Sequence, residues 1–167
     1  MTIRIIAEQP EHAAAVAALN RAAFGGDFEA KLVARLHLDC LVAVSLVAVE
    51  GSVVGHILFS ELAVEVDGRS VAAMALAPMA VRPDRQRQGV GTALVHEGLA
   101  RVRTAGREAV IVLGHPQYYP RFGFSAAMAR KLRSPFPGEA FMALELVPGA
   151  LAGASGSVRY PAAFGID

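Results

Sequence analysis

Three runs of β-branched and other apolar residues, joined by short polar turns, constrain the fold of this chain most. In chain order the runs and the turns between them are 41–50, Gly51-Ser52, 53–66, Asp67-Gly68 and 70–81. A pair such as Asp-Gly between alternating runs favours a β-hairpin. The centre of the chain is therefore predicted to be an antiparallel meander of three strands, the third of which ends at Val81.

Helices are predicted on both sides of the meander. A short strand over 2–7 leads into a helix over 10–24, which Gly25-Gly26 ends, and Asp27 is positioned to cap a second helix. After the meander, residues 89–106 predict an amphipathic helix. Its apolar face is formed by Leu94, Val95, Gly98, Leu99 and Val102.

The remainder of the chain predicts further strands. The apolar run 109–114 has the length of a buried strand that follows a crossover helix, and 141–147 is also predicted as a strand. Between them, the sequence PQYYPRFGF predicts a short helical turn that Gly123 ends. Further strands are predicted to start near Phe124 and to lie within 156–164.

Length and composition indicate a soluble chain that forms its own core. The 167 residues are 54% hydrophobic and correspond to a single domain over 1–167. No apolar run approaches the roughly 20 residues of a membrane helix. The predicted fold class is α/β, with a mixed, mostly antiparallel central sheet flanked by helices. The first residues carry no export signal, so a cytoplasmic location is expected.

Charge and cysteine content argue against several classes of site. Sixteen basic and fifteen acidic residues give a net charge of +1, so no overall field recruits nucleic acid or an anionic membrane. The single cysteine, Cys40, cannot form an internal disulfide and is expected to be a small apolar residue at a strand start. No spacing of Cys and His resembles a zinc site, so no metal is expected.

The stretch from Gln86 to Thr92 is the clearest candidate binding site. Gly89 and Gly91 allow a backbone to approach a ligand, and the first N–H groups of the following helix point at one spot. The helix dipole and nearby arginines favour an anion there, and a pyrophosphate fits best. The alternative is a solvated basic turn. The dinucleotide fingerprint, the P-loop and the nucleophile elbow do not fit this sequence.

Two motifs in order give a specific resemblance. Gln86-x-x-Gly89-x-Gly91, after a predicted strand end, resembles the acetyl-CoA signature of the GNAT acetyltransferase superfamily. The segment YYPRFGF, which begins at Tyr118, resembles that family's second motif and is similar to a bacterial branch of predicted N-acetyltransferases with YYxRFGF. The order of elements also matches over nearly the whole chain. The resemblance implies an acyl-CoA-dependent N-acetyltransferase, which is a transferase of the acyltransferase class.

The resemblance also implies how the cofactor is held. In this family the strand before the loop splays from its neighbour at the cofactor site, and Pro78, which cannot donate to a ladder, suits such a break. The freed backbone would pair with the pantetheine arm, and an N–H near Met79 would polarise the thioester carbonyl. The residues implied to bind acetyl-CoA, the co-substrate, are Met79, Ala80, Val81, Gln86, Arg87, Gln88, Gly89, Val90, Gly91, Thr92 and Tyr118.

Tyr119 is the catalytic residue that the resemblance implies. If the departing thiol behaves like cysteine, its pKa is about 8.5, and a tyrosine hydroxyl with a pKa of about 10 can supply a proton. The alternative is a half-buried tyrosine whose hydroxyl is bonded and has no part in catalysis. Tyr118 is expected to pack on the cofactor or the core.

The sequence does not identify the general base. An alkyl amine acceptor, with a pKa of about 10.4, must lose a proton before it attacks. His115 is a candidate base, and the alternative is an exposed loop histidine; His56 is interpreted as a sheet histidine with satisfied hydrogen bonds. The sequence departs from the family at Val112, where many members have an asparagine that binds the cofactor.

The predicted function is transfer of an acetyl group from acetyl-CoA to an amine by direct attack, without an acyl-enzyme. The acceptor is a small-molecule or peptide amine of unidentified structure. One alternative is a non-catalytic acyl-CoA-binding sensor module. Another is a nucleic-acid-binding domain that uses the stretch 82–107, which has six arginines and only two acidic residues. Neither nucleic acid nor a membrane is expected as a partner, whereas the apolar tail suggests a possible homodimer.

Overall fold

The computed structural model describes residues 2–136 and 138–166. In this part of the chain the strands are β1 (Arg4–Ala7), β2 (Val42–Glu50), β3 (Ser52–Val66), β4 (Arg69–Val81), β5 (Ala109–Leu113), β6 (Leu132–Arg133), β7 (Phe141–Glu145) and β8 (Gly156–Arg159). The α-helices are α1 (Ala13–Phe24), α2 (Phe28–Leu38), α3 (Val90–Thr104) and α4 (Ala126–Ala129). Single 3-10 turns cover Pro10–His12, Pro83–Arg85, Tyr119–Phe122 and Ala162–Phe164.

The described strands form one sheet with the order β1-β2-β3-β4-β5-β7; in addition, β8 pairs with β3, and β6 pairs with β8. The β4–β5 and β6–β8 pairs are parallel, whereas β1–β2, β2–β3, β3–β8 and β5–β7 are antiparallel. A parallel pair needs a crossover connection, and α3 lies between β4 and β5 in the chain. The predicted α/β class with a mixed, mostly antiparallel sheet is confirmed.

The chain divides into two compact units. The first contains the residues up to Ser60 together with Ala77–Val102. Here α3 approaches β3 very closely, because a Cβ atom on Gly98 would lie 2.8 Å from Cζ of Phe59. The residues of the predicted apolar face of α3 are all buried: Leu94, Val95, Gly98, Leu99 and Val102. Val90, at the start of the helix, is buried as well.

The second unit contains Glu61–Leu76 and the residues from Arg103 onward. Its centre is β5, of which all but the last residue are buried. On one side β5 pairs with β4, over a register that ends at Leu76↔Val112, and on the other it pairs with β7. Pro78 follows two residues after the end of this register.

The C-terminal segment is fixed to the β3–β4 turn of the second unit. The Asp67 carboxylate accepts hydrogen bonds from the backbone N–H groups of Ala154 (3.0 Å) and Ser155 (3.1 Å). These bonds hold the pKa of Asp67 below its usual range. The large apolar residues of the tail, Leu151, Val158 and Phe164, are buried within the chain itself. A homodimer through the tail stays a prediction.

Several local expectations were wrong. The strand expected near Phe124 is a single bridge between Ser125 and Ala143, followed by α4, whose first turn Ser125 Oγ caps. Asp27 does not cap α2 with its side chain, because its carboxylate pairs with Arg21 at 2.8 Å. Cys40 is exposed and lies before β2 with a φ of 57°.

None of the helices in the described residues is long and apolar enough to cross a membrane.

Candidate functional site

The loop between β4 and α3, in the first unit, has an unusual backbone. A 3-10 turn over Pro83–Arg85 is followed by two residues with positive φ, Arg87 at 63° and Gly89 at 88°. Positive φ is uncommon for a residue with a side chain, so Arg87 is held by the surrounding loop. Nothing lies within 4 Å of a Cβ built on Gly89. The chain therefore turns sharply before α3 begins at Val90.

Ion pairs fix the start of this loop. Arg85 donates to the Glu50 carboxylate at 2.7 Å, and both side chains are largely buried. Arg82 donates to Asp84 at 2.6 Å and to Ser52 Oγ at 3.2 Å. These hydrogen bonds lower the pKa of the Glu50 and Asp84 carboxyls. Two of the arginines expected near a pyrophosphate are thus paired with carboxylates.

The glutamine side chains also shape the loop. Gln86 Nε2 donates to the Val81 carbonyl oxygen at 3.0 Å, and Gln88 Nε2 donates to that of Asp84 at 3.2 Å. Gln88 Oε1 accepts from Arg85 at 3.2 Å. The bond to Val81 uses one of the two Nε2 hydrogens of Gln86, so a contact of Gln86 with a pyrophosphate, which the resemblance implies, stays a prediction.

The N-terminus of α3 follows the loop directly. The Ala93 N–H donates to the Gly89 carbonyl at 3.0 Å, at the start of this helix. The N-terminal turn of an α-helix and the helix dipole favour anions. The Val90 side chain is buried, which anchors the helix start, and the next residue, Gly91, has no side chain.

The end of β4 completes the candidate cofactor residues of the first unit. The Arg82 N–H donates to the Val54 carbonyl of β3 at 2.8 Å, which ties the strand end to its neighbour. Ala80 is buried, whereas Met79 and Val81 are half-buried. The structure thus brings residues 79–81 and 86–92 together within one unit as consecutive parts of a strand, loop and helix.

The two predicted tyrosines lie in the second unit, at the 3-10 turn after β5. Tyr119 is 7% exposed and packs edge-on against Tyr118, with ring centroids 5.1 Å apart, and against Phe124 at 5.7 Å. The Arg121 guanidinium lies 5.2 Å above the Tyr118 ring. A Cβ on Gly114 would clash with the Tyr119 ring. The glycine therefore makes room for this tyrosine.

Burial determines the acidity of Tyr119. Removal from water, with a smaller contribution from Tyr118, raises the pKa of Tyr119 to about 12. His115 is exposed, and its carbonyl oxygen accepts the N–H groups of both tyrosines, at 3.1 Å and 3.3 Å. Val112, at the position of the family's asparagine, is buried and pairs with Met142 of β7. With its pKa raised to about 12, Tyr119 is neutral at physiological pH.

A second group of polar side chains lies in the first unit, and we call it the polar cluster. Its members come from the end of β1, from α1 and α2, and from β2 and β3: Glu8, Asn20, His37, Ser45 and His56. Asn20 and His56 are fully buried, and the Glu8 side chain is 7% exposed. His56 is therefore the buried sheet histidine that the sequence predicted.

Glu8 carries the negative charge of the polar cluster. Its Oε1 accepts from Ser45 Oγ at 2.5 Å and lies 3.2 Å from His37 Nε2 and 3.6 Å from His56 Nε2. Burial raises the pKa of Glu8, but the hydrogen bonds and charges of these neighbours outweigh it and lower the pKa to about 2. In the described residues no group of three His, Cys, Asp or Glu side chains could hold a metal ion.

Comparison with protein families identifies the fold. Residues 4–127 match the model of the acetyltransferase (GNAT) domain. The chain belongs to the GNAT acetyltransferase family. It is 40% identical over 164 residues to "uncharacterized N-acetyltransferase YhbS" of Escherichia coli K12, with 96% of each chain covered. This GNAT chain is therefore an N-acetyltransferase, as the sequence predicted. The relative's name does not specify an acceptor.

Solved structures of similar proteins agree with this assignment. The crystal structure of YhbS from Escherichia coli in complex with CoA has a TM-score of 0.88 and 38% identity, over 98% of this chain and 92% of that one. A GNAT acetyltransferase from Brucella melitensis in complex with acetyl-CoA has a TM-score of 0.81 and 34% identity, over 98% of both chains. The GNAT fold is thus confirmed over nearly the whole chain.

Sequence reasoning missed most of the polar cluster in this GNAT domain. One signal was available on α1, where the buried positions Val16, Leu19 and Asn20 follow helical spacing and the third is polar. A buried amide on an apolar helix face requires a partner. The partners themselves lie on other elements, so their identities did not follow from spacing.

Proposed function

We propose that this chain transfers the acetyl group of acetyl-CoA to an amine by direct attack. The amine nitrogen attacks the thioester carbonyl carbon, the C–S bond breaks, and the proton lost by nitrogen and the proton gained by sulfur pass through protein groups or water. The observation that carries the proposal is the turn of positive φ at Arg87 and Gly89 that opens directly onto the start of α3. It is supported by the similarity to proteins solved with CoA and acetyl-CoA.

The first unit would bind the cofactor. The backbone of residues 87–92 would hold the pyrophosphate, because helix N-terminal N–H groups and the helix dipole favour negative charge. The backbone of Met79, Ala80 and Val81 would pair with the pantetheine arm. A main-chain N–H near Met79 would donate to the thioester oxygen as negative charge develops on it. Exposed Arg87 is available to add charge near the phosphates.

Tyr119 would assist the departing sulfur, and Tyr118 would pack on the cofactor. With a pKa of about 12, the Tyr119 phenol keeps its proton throughout neutral pH. The same rise makes complete transfer to a thiolate unfavourable in the free protein, because a cysteine-like thiol has a pKa of only about 8.5. Donation of a hydrogen bond to sulfur as the C–S bond breaks is therefore the role that this environment favours.

The alternatives differ in what they predict for acetyl-CoA. A sensor module would bind the cofactor and never consume it with any amine of a broad panel. A nucleic-acid-binding domain would need free arginines in the stretch 82–107, yet four of the six donate to carboxylates. These four pairs are Arg82 with Asp84, Arg85 with Glu50, Arg101 with Glu97, and Arg107 with Glu61. The pairing argues against the nucleic-acid alternative.

The test is a thermal melt with and without acetyl-CoA. At about 100 times its dissociation constant a ligand adds roughly 2.7 kcal/mol, so the melting temperature of the wild type should rise by about 5–10 °C. Gly91→Trp should abolish the rise, because the indole would cover the first amides of α3. Gly26→Trp is the matched control, since nothing lies within 4 Å of a Cβ there, and it should keep the rise.

The outcomes separate the candidate functions. A shift lost in Gly91→Trp and kept in Gly26→Trp supports the cofactor site, and consumption of acetyl-CoA with an amine then excludes the sensor. No shift of the wild type at saturating acetyl-CoA contradicts the proposal. Steep salt-dependent binding to DNA or RNA would then favour the nucleic-acid alternative.

A further inference from the structure

Gly114 lies in the second unit, directly after the last residue of β5. Its N–H donates to the Ala140 carbonyl at 3.0 Å, one residue beyond the last pair of β5 and β7, Leu113↔Phe141. Its φ is not in the left-handed range that favours glycine. The backbone φ therefore does not require a glycine here, and the reason for one lies in what a side chain would touch.

The group that a side chain at Gly114 would touch is the ring of Tyr119. A Cβ atom there would lie 2.8 Å from Cδ2 and 3.4 Å from Cζ of this ring, and closer still to Cε2. Carbon atoms that are not bonded to each other prefer separations of about 3.5–4.0 Å. The ring edge would have to move by about 1 Å to make room for the Cβ. The Tyr119 ring thus lies directly against the backbone of Gly114.

Two aromatic rings also contact Tyr119. The Tyr118 ring is 5.1 Å away and inclined by 84°, and the Phe124 ring is 5.7 Å away and inclined by 77°. Edge-on pairs of this kind are a favoured arrangement of aromatic side chains. Phe124 is itself 2% exposed, and the N–H groups of both tyrosines donate to the His115 carbonyl. These contacts and the Gly114 backbone fix where the Tyr119 ring lies.

The position of the ring determines the position of the Tyr119 hydroxyl. Within the part of the chain that the structure describes, this hydroxyl forms no hydrogen bond, and only burial and Tyr118 contribute to its raised pKa. The hydroxyl oxygen is attached rigidly to the ring, so a displaced ring carries it along. Side chains that act in catalysis need such packing, because their geometry must be held within about 0.5 Å.

We propose that Gly114 is a positioning residue for acetyl transfer, because its missing side chain lets the Tyr119 ring lie against the end of β5 with its hydroxyl directed at the departing sulfur. This assignment rests on the proposed function. In that reaction the bond between the amine nitrogen and the acetyl carbon forms, the C–S bond breaks with its electron pair on sulfur, and the Tyr119 hydroxyl donates a hydrogen bond to that sulfur. A misplacement of about 1 Å can lower a rate about 100-fold.

Gly114→Ala is the direct test. With the amine of a broad panel that the wild type acetylates fastest, we expect kcat to fall about 10–100-fold and KM for acetyl-CoA to stay within about twofold. The acetyl-CoA melting shift should be kept, because residues 79–92 belong to the first unit. Gly26→Ala is the matched control and should keep the wild-type kcat, since nothing lies within 4 Å of its Cβ. A wild-type kcat in Gly114→Ala contradicts the positioning role.

A double-variant cycle separates positioning from a general packing defect. If Gly114 acts through the Tyr119 hydroxyl, Gly114→Ala should lower kcat by less than about twofold in a Tyr119→Phe chain, which has already lost that hydroxyl. A packing defect that acts elsewhere would lower kcat by the same factor in both backgrounds. Equal factors would therefore overturn the positioning role.

Phe124→Leu keeps the proposal testable if Gly114→Ala does not fold. Leucine is smaller than phenylalanine and creates no clash, but it removes one of the rings that hold Tyr119. We expect kcat to fall about fivefold in the wild-type background and to change by less than about twofold in the Tyr119→Phe chain. An unchanged kcat in the first background would mean that the ring position does not set the rate, and would overturn the proposal.

A second readout does not need turnover. The chain has three tyrosines, so an NMR spectrum of isotope-labelled tyrosine rings contains few signals, which the three Tyr→Phe variants assign. Gly114→Ala should move the Tyr119 signals, because the ring changes its place relative to Tyr118 and Phe124, and should leave those of Tyr160 in place. Unmoved Tyr119 signals contradict the proposal even in an active enzyme.

The outcomes keep the positioning role apart from the proposed function. A wild type that turns over and a Tyr119→Phe variant that is slow, with Gly114→Ala as fast as the wild type, overturn only the role of Gly114. A Tyr119→Phe variant as fast as the wild type overturns the roles of Tyr119 and Gly114 and leaves acetyl transfer intact. A wild type that acetylates no amine of the panel overturns all three.

Discussion

At the scale of single residues, Tyr119 combines two properties that act in opposite directions. Its burial keeps the phenol neutral and therefore able to donate, and the same burial makes the proton harder to give up. A donor of this kind is most useful where charge develops close to it in apolar surroundings. The aromatic rings of Tyr118 and Phe124 provide such surroundings.

Tyr119→Phe should lower kcat by about 100-fold and leave the acetyl-CoA melting shift unchanged, because only the hydroxyl is removed. In the wild type, a pKa of about 12 means that the rate should not decline between pH 7 and pH 10 through loss of the Tyr119 proton. Steady-state rates over this range check both statements. Tyr160→Phe is the matched control, since burial also raises the pKa of Tyr160 to about 12. Equal rates in the two variants would exclude Tyr119 as the donor.

Glu8 should govern part of the acid stability. Its pKa is lowered from 4.5 to about 2, so its stabilising effect is present above about pH 4.5 and is lost as the pH falls towards 2. Over that range the wild type should lose about 2 kcal/mol more unfolding free energy than Glu8→Gln, as measured by urea denaturation. The exposed Glu11→Gln is the control and should behave like the wild type. Parallel curves for wild type and Glu8→Gln would contradict the strength of these contacts.

The sequence predicted single residues well where a motif fixed them and poorly where tertiary contacts did. The turn at Gly89 and the helix start at Val90 follow from local chemistry, and the structure has both. The bond between Asn20 and His56 joins residues 36 positions apart, so no local pattern contains it. The roles assigned to the site residues remain predictions, because they concern a ligand.

At the scale of elements, the close contact between α3 and β3 allows the packing of the first unit to be tested. Gly98→Ala should destabilise the chain by about 1–3 kcal/mol, although alanine is favoured over glycine in a helix by about 1 kcal/mol. The added Cβ would lie 2.8 Å from Cζ of Phe59 and closer still to Cε1, and this ring is fully buried. Urea denaturation measures the difference.

The control for this substitution is Gly26→Ala, where nothing lies within 4 Å of the new Cβ. It should leave stability within about 0.5 kcal/mol of the wild type. A Gly98→Ala variant as stable as Gly26→Ala would mean that the helix can move away from β3 without cost.

Elements with strong local signals were predicted, and the strand expected within 156–164 is confirmed as β8, whereas β6 and α4 were not predicted. The turns at Gly51-Ser52 and Asp67-Gly68 separate β2, β3 and β4 as the sequence indicated, and the apolar run of β5 is buried. β6 has two residues and pairs only with β8, and therefore leaves no periodic pattern to detect. The four residues of α4 replaced an expected strand because Ser125 caps a helix after one bridge.

At the scale of the whole molecule, basic and acidic residues are nearly equal in number, and many of them also form ion pairs with each other. The net charge is +1, and arginines of the stretch 82–107 donate to carboxylates near them. Such pairing leaves little of the uniform basic surface that non-specific binding to phosphate backbones needs. The composition predicted the overall balance, whereas the individual partners, such as Glu50 for Arg85, required the folded chain.

The order in which the two units use the chain has a consequence for synthesis. The first unit needs Ala77–Val102 as well as the residues up to Ser60, and the segment Glu61–Leu76 between them belongs to the second unit. A nascent chain leaving the ribosome therefore cannot complete its first unit until Val102 has emerged. The edge of β4 from Ala73 to Leu76 that pairs with β5 waits longer still, until β5 is made, so one apolar strand edge lacks its partner during translation.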